Sequence, residues 1–206
     1  MIGPAHERLV YGRRIQVLAR HVAELLPREA TVLDVGSGDG LLARRVMDAR
    51  PDVRITGVDV LARPTAHIPV QLFDGVHLPF APGSFDALMM IDVLHHASRQ
   101  EALLAEMARV ARQRIIIKDH YVKGVLAHPT LRFMDWVGNV RHGVALPYSY
   151  WAPERWQRAF AGAGLRRLEE RTTLGLYPWP ASLLFERGLH FIAVLEPAGV
   201  PAAVPA

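Results

Sequence analysis

The sequence contains no cysteine, which excludes a disulfide framework, a thiolate zinc site, an iron–sulfur cluster and a cysteine nucleophile together. It has no uninterrupted apolar stretch of the ~18 residues that a membrane span needs, and its start, MIGPAHERLVYGRR, lacks the apolar core of a secretory signal. The expectation is a soluble, cytoplasmic protein. A strong charge bias is missing as well. The formal net charge is +4 and the isoelectric point is near 9.8. Nearly all basic residues are arginine, and pairs such as Arg13–Arg14, Arg44–Arg45 and Arg166–Arg167 are scattered, the pattern of solvated helix faces rather than of a nucleic-acid footprint. There is no internal repeat. What remains is ordinary globular composition, 50% hydrophobic and 21% charged. A chain of 206 residues, about 1.4 typical domain lengths, points to one domain with an elaboration.

Residues 6–26 place Leu9, Val10, Ile15, Val17, Leu18, Val22, Leu25 and Leu26 at helical spacing before Pro27, an amphipathic helix ahead of the first strand. From Thr31 the period changes. TVLDV, VRITGVDV, IPVQLF, FDALMMI and RIIIK are short apolar runs of the kind that become parallel strands buried on both faces. LLARRVMDAR and SRQEALLAEMARVAR read as the intervening helices, the second with Ser98 as N-cap and Glu101 closing a capping box. Strands alternating with helices predict an α/β sheet with right-handed crossovers. Beyond Lys118 come a helix interrupted at Pro129 and an aromatic-rich loop, RHGVALPYSYW. A helix with Pro153 in its first turn follows, then strands LRRLEERTTLG and LHFIAVLE and a disordered tail.

The segment richest in chemistry is Val32-Leu33-Asp34-Val35-Gly36-Ser37-Gly38-Asp39-Gly40, a strand running into a glycine turn and a helix. Glycines let the backbone approach a ligand closely. The dinucleotide fingerprint needs its third glycine one position later, where Leu41 stands, so a pyrophosphate is not provided for. Asp34 suits a cationic amine better than a phosphate. Asp59 in GVDV stands about twenty residues on, where a carboxylate can accept both ribose hydroxyls, and Asp74 in QLFDG could reach an adenine amino group. All three acids fall at the carboxyl ends of strands, where open α/β sheets bind ligands.

At these residues the chain resembles the class I S-adenosylmethionine-dependent methyltransferases, and within them the type 11 group of quinone-biosynthesis and other small-molecule enzymes. VLDVGSGDG (32–40), GVDV (57–60), FDGVHLPFAPGSFDALMMIDVLHH (73–96) and EALLAEMARVARQRIIIKD (101–119) carry the resemblance. It implies a Rossmann-like seven-stranded sheet, mostly parallel with the last strand antiparallel, and helices on both faces. Residues 31–119 and 152–196 would form it, 1–30 a helical lid, 120–151 an inserted helical and aromatic cap, and 197–206 the tail. It implies S-adenosyl-L-methionine as cofactor, leaving as S-adenosyl-L-homocysteine. Asp34, Gly36, Ser37 and Gly38 would line the methionine side, Asp59 the ribose, Val60, Asp74 and Gly75 the adenine, and Ile91 the sulfonium.

The motif [DN]PP[YF] of amino-methylating enzymes is absent, since the fourth strand ends in IDVLHH, and nucleic-acid methylation drops in rank. Methyl transfer is an in-line displacement, so the protein must position the acceptor and remove a proton. His95, His96 and His120 stand just beyond strands four and five and are the candidate bases. Tyr121, Trp136, His142, Tyr148 and Tyr150, with Phe133, Met134, Trp151 and Arg141 beside them, are the candidate acceptor contacts, suiting a small or medium apolar molecule, aromatic, polyketide or lipid-like. Tyr11 or Arg14 could face the cofactor from the first helix. Asp92, His95, Asp119 and His120 could hold a divalent cation, but no ligand spacing specifies one, and no metal is expected. A cofactor-binding protein or non-methylating enzyme on the same fold, and an RNA or protein methyltransferase, stay open as alternatives. A homodimer is allowed.

Overall fold

The computed structural model describes the backbone of residues 4–139 and 147–198 and the side chains of residues 12–137 and 147–198. Helix α1 (Pro4–Leu25) leads into β1 (Thr31–Val35), α2 (Leu41–Ala49), β2 (Arg54–Asp59), β3 (Val70–Leu72) and β4 (Phe85–Ile91). A 3-10 turn at Leu94–His96 precedes α3 (Gln100–Val110), β5 (Ala111–His120) and α4 (Ala127–Asn139). Then come α5 (Pro153–Gly162), β6 (Leu165–Arg171), the short α6 (Ser182–Phe185) and β7 (His190–Pro197). The strands form one sheet in the order β3-β2-β1-β4-β5-β7-β6. Strands β1 to β5 pair in parallel and β7 is antiparallel to both its neighbours, which is the expected Rossmann-like seven-stranded arrangement.

The apolar runs explain the layering. Alternate side chains on a strand point to opposite faces, and each run supplies residues to both. Leu33, Val35, Leu88, Met90, Ile115, Ile117, Ala193 and Leu195 pack with Leu103, Leu104 and Met107 of α3 and Trp156 and Phe160 of α5. Val32, Ala87, Met89, Ile116, Ile192 and Val194 pack with Val22 of α1 and Ala43 and Val46 of α2 on the other face. Each fully buried aliphatic or aromatic side chain contributes about 1.5–3 kcal/mol, so the central strands are fixed and polar residues at their carboxyl ends are held in a rigid frame.

Three local expectations change. Helix α3 starts at Gln100, with Arg99 rather than Ser98 at the N-cap and no side-chain cap bond; the buried Gln100 amide instead donates to the carbonyls of Leu94 and Ser149, at 2.9 and 3.1 Å. Pro129 does not interrupt α4, because it stands in the first turn, where a helix has no use for its N–H. Strand β7 continues to Pro197, and the Ala198 N–H bonds the Gly164 carbonyl at 2.6 Å; the rest of the expected tail lies outside the described residues. No described helix is long and apolar enough to cross a membrane.

Candidate active site

Strand β1 delivers its backbone to a glycine turn at the carboxyl edge of the sheet. Gly36 has φ +77°, and a Cβ there would lie 2.5 Å from the Val93 side chain. The Gly36 and Ser37 N–H groups both donate to the Val58 carbonyl, at 2.8 and 3.1 Å. The Gly38 N–H donates to Asp59 Oδ2 at 2.7 Å, while Asp59 Oδ1 accepts from the Leu61 N–H at 2.9 Å. Asp59 therefore fastens the turn to the end of β2. Gly38, at φ +59°, has no atom within 4 Å of where a Cβ would stand, so its outer face is open to a ligand. The Ser37 hydroxyl is turned back onto Gly57 and is buried without a hydrogen-bond partner among the described residues.

Asp34 is buried beneath this turn. Burial, and secondly the negative charge of Asp59, push its carboxyl up to about 8. A cation placed beside it would remove that penalty. On the other side of Asp59, Val60 is 54% exposed, and Gly75, at φ +85°, lets the chain pass close to it, a Cβ there being 3.2 Å from Val60. Asp74 closes its own turn, accepting from the Val76 and His77 N–H groups at 2.8 and 2.7 Å and pairing with His77 Nδ1 at 2.6 Å. The His77 bond first, and then the backbone bonds, hold its carboxyl down at about 2. Ile91 ends β4, partly buried against the α1–α2 side of the core.

Past the ends of β4 and β5 lies a buried polar cluster. His95 Nδ1 is 2.7 Å from Asp119 Oδ1, and His95 Nε2 is 3.3 Å from Asp135 Oδ1. Tyr150 donates to Asp135 Oδ2 at 2.6 Å, and His96 Nε2 stands 3.6 Å from Asp135 Oδ1. His120 Nδ1 lies 3.2 Å from Asp119 Oδ1, and its Nε2 faces Asp92 at 3.7 Å. Asp92 also binds the fully buried Lys118 and, at 2.5 Å, Arg14 of α1. His190 of β7 completes the chain of contacts, 3.3 Å from Lys118 Nζ.

This geometry separates the three candidate bases. Burial alone would lower His95, but Asp119 and Asp135 outweigh it and raise the imidazole to about 10. An imidazole between two carboxylates favours its protonated form, so His95 is the least suited of the three to accept a proton near neutrality. His120 is pushed the other way, down to about 4, by burial and then by Lys118. His96 is the most accessible of the three, its side chain 14% exposed.

The candidate acceptor contacts also divide. Tyr150 joins the cluster. Trp136 is 52% exposed on α4, and Tyr148 lies under the Arg132 guanidinium at 4.4 Å. Phe133 is exposed against Phe185, and Met134 is half-buried. Tyr121 is not part of an acceptor surface; it stacks on Phe191 in the core, ring centroids 4.1 Å apart, with Glu170 acting on its hydroxyl. Trp151 is buried against Trp156 in the same core. An apolar pleat took both rings inward. Arg141, His142 and the Tyr11 side chain lie outside the described residues. Sequence reasoning missed Asp135, Lys118 and His190. The signal for Lys118 was legible: a lysine inside the apolar run RIIIKDH must be buried, and a buried lysine needs a partner.

Residues 33–116 match a family model described as a methyltransferase domain. Ribosomal RNA small subunit methyltransferase G of Salinispora tropica is 44% identical over 68 residues, 33% of this chain and 28% of the relative. An O-methyltransferase of Aspergillus nomiae is 31% identical over 129 residues, 54% of this chain and 57% of the relative. The chain thus spans less than two thirds of the length of either. Among solved structures, the Haloferax volcanii complex of the Trm112 methyltransferase activator and a methyltransferase contains a chain that superposes with a TM-score of 0.70 at 18% identity, over 94% of both chains, a likeness of fold.

Proposed function

We propose that the chain, whose residues 33–116 match a methyltransferase domain, uses S-adenosylmethionine to transfer a methyl group to an oxygen or carbon of a small or medium apolar acceptor. The observation that carries this reading is the juxtaposition, along one sheet edge, of an open glycine turn over the uncompensated Asp34 with the polar cluster of His95, His96, Asp119, His120, Asp135 and Tyr150.

The residues fit the cofactor. Asp34 would hold the methionine ammonium. The backbone of Gly36, Ser37 and Gly38 would line the same portion, with Ser37 contributing through its main chain because its hydroxyl faces Gly57. Each Asp59 oxygen has accepted one backbone N–H and keeps a lone pair for a ribose hydroxyl. Val60 and Gly75 would border the adenine, with Asp74 at its edge and Ile91 toward the sulfonium. When bound, S-adenosylmethionine supplies an electrophilic methyl on a sulfonium. The protein's share is to exclude water, orient the acceptor and accept its proton. His96, at the accessible end of the cluster, would take the last task, and Trp136, Tyr148 and Tyr150 would orient the acceptor.

An RNA acceptor is the second reading, favoured by the ribosomal RNA enzyme's identity over 68 residues. Against it, exposed arginines are matched by acids around the surface: Arg44 by Asp48, Arg112 by Asp86, Arg155 by Glu101 and Arg171 by Glu24. A positive stripe is what phosphate tracking would need. The experiment is calorimetry with S-adenosylhomocysteine, followed by a screen of phenolic, polyketide and lipidic acceptors and of ribosomal RNA for homocysteine-product release. Turnover of a small acceptor is expected. Turnover of RNA alone would overturn the small-acceptor reading, and failure to bind the cofactor would overturn the methyl-transfer reading.

A further inference from the structure

Asp119 uses its two oxygens very unequally. Oδ1 faces His95 Nδ1 at 2.7 Å, the His120 N–H at 2.8 Å and His120 Nδ1 at 3.2 Å. Oδ2 of the same carboxylate is buried and has no hydrogen-bond partner among the described residues. A buried carboxylate oxygen without a donor is costly. Crowding every neighbour onto one oxygen while the other is orphaned is the arrangement of a ligand set awaiting an ion rather than of a finished hydrogen-bond network.

The two rings are oriented alike. Both direct Nδ1 at Asp119, and behind each ring a carboxylate faces Nε2: Asp135 behind His95 at 3.3 Å and Asp92 behind His120 at 3.7 Å. Those outer carboxylates are themselves held, Asp135 by Tyr150 and Asp92 by Arg14 and Lys118. A carboxylate behind each ligating histidine is what fixes ring orientation and raises ligand basicity at metal centres. The spacing agrees: two ligands about 2.0–2.2 Å from an ion and at right angles around it stand about 3 Å apart, and His95 Nδ1 and His120 Nδ1 lie 2.7 and 3.2 Å from Asp119 Oδ1.

We infer that His95, Asp119 and His120 form a binding site for a divalent first-row transition-metal ion, which offers an open coordination position to the oxygen of the methyl acceptor. Two histidines and one carboxylate leave such positions free. Formal charge supports the pairing. An ion here takes the place of the proton that Asp119 and Asp135 hold on His95, since ligand histidines must be neutral; once that proton has left, Asp92, Asp119 and Asp135 against Arg14 and Lys118 leave the buried cluster one negative charge in excess. A divalent ion together with one anionic acceptor oxygen closes that balance. His96 and Asp135 form a second group with His95, their ligand atoms within 4.8 Å of one another and on the more accessible side, and give the ion a route inward. The ion's role toward the acceptor rests on the methyl-transfer reading above; the site itself does not.

The test titrates the full chain, freed of any affinity tag and dialysed against EDTA, with Co²⁺, reading the visible absorption of bound cobalt and its stoichiometry. One equivalent is expected. Asp135→Asn should weaken binding about 10–100-fold, as outer-shell changes do, and His95→Ala and Asp119→Asn by more than about 100-fold. S-adenosylhomocysteine affinity, which should not change, reports folding; if His95→Ala fails that control, His120→Gln replaces it. Less than one equivalent in the wild type, or cobalt binding that survives all these substitutions, overturns the site. Cobalt bound at these residues with no S-adenosylhomocysteine binding in the wild type would support the site and count against methyl transfer.

Discussion

If Asp34 receives the methionine ammonium as proposed, lowering the pH from 8 to 6 should weaken cofactor binding about 50-fold, because the carboxyl must ionise to do so. With its carboxyl at about 8 in the free protein, only about 1% is ionised at pH 6 and about half at pH 8. The ligand's α-amino group, which stands beside a free carboxylate, stays mostly protonated across this range and adds little. The binding-competent fraction of Asp34 is about 0.01 at pH 6 and about 0.5 at pH 8, and the ratio gives the 50-fold. Calorimetry with S-adenosylhomocysteine across this range reads it directly. Repeating the titration at pH 6 in buffers of different ionisation enthalpy should show about one proton released per ligand bound. Asp34→Asn should lose the acid limb and the proton release and bind more weakly at pH 8. The sign extends to stability. A carboxyl raised on folding favours the unliganded fold below its unfolded value of 3.8, and that contribution is lost as pH rises through about 8. Saturating cofactor should reverse the trend. A flat affinity profile below pH 8, or an Asp34→Asn profile that keeps the acid limb, would refute the assignment.

Asp59→Ala should cost about 1.5–3 kcal/mol of cofactor binding, about 10- to 150-fold, in calorimetry, with the lost anchor on the Gly38 N–H adding to the effect; unchanged affinity would remove Asp59 from the site. His96→Ala should lower kcat by about 10²–10⁴-fold while cofactor affinity persists, and a near-native kcat would mean that the acceptor arrives already ionised. Trp136→Ala should raise acceptor KM about 10-fold through lost apolar contact without moving cofactor affinity; loss of both together in a folded variant would reject residues 120–151 as an acceptor cap. Tyr121→Phe should reduce stability by about 0.5–1.5 kcal/mol in denaturant unfolding and leave acceptor KM alone, because its ring lies in the core.

The cofactor edge was legible because local sequence determines it. An apolar strand, three closely spaced glycines and strand-terminal acids occupy adjacent positions, and parallel topology alone brings Asp34 beside Asp59. The cluster was only partly legible because its members come from different segments. His95 belongs to a 3-10 turn, Asp119 and His120 to β5, Asp135 to α4, Tyr150 to a loop and His190 to β7. No spacing along the chain encodes their meeting, so a metal was not expected. The charge state of His95 was unreadable for the same reason, since the Asp135 that acts on it lies forty residues away. Tyr121 and Trp151 were misplaced because aromatic density in a loop says nothing about which rings turn inward.

The position of β7 bears on how the molecule comes into being. It follows every other described strand yet lies inside the sheet, and among the described residues β6 pairs with β7 alone. During synthesis β1, β2, β3, β4 and β5 can associate as they emerge, so the glycine turn with Asp34 and Asp59 can be assembled early. β6 must wait unpaired, and β5 must keep one edge open, until β7 arrives to join them. Unpaired strand edges on a partly folded chain are the surfaces that aggregate. His190 enters with that last strand and brings the final side chain to Lys118. The donor-side half of the sheet can thus mature before the polar cluster, whose completion coincides with closure of the fold.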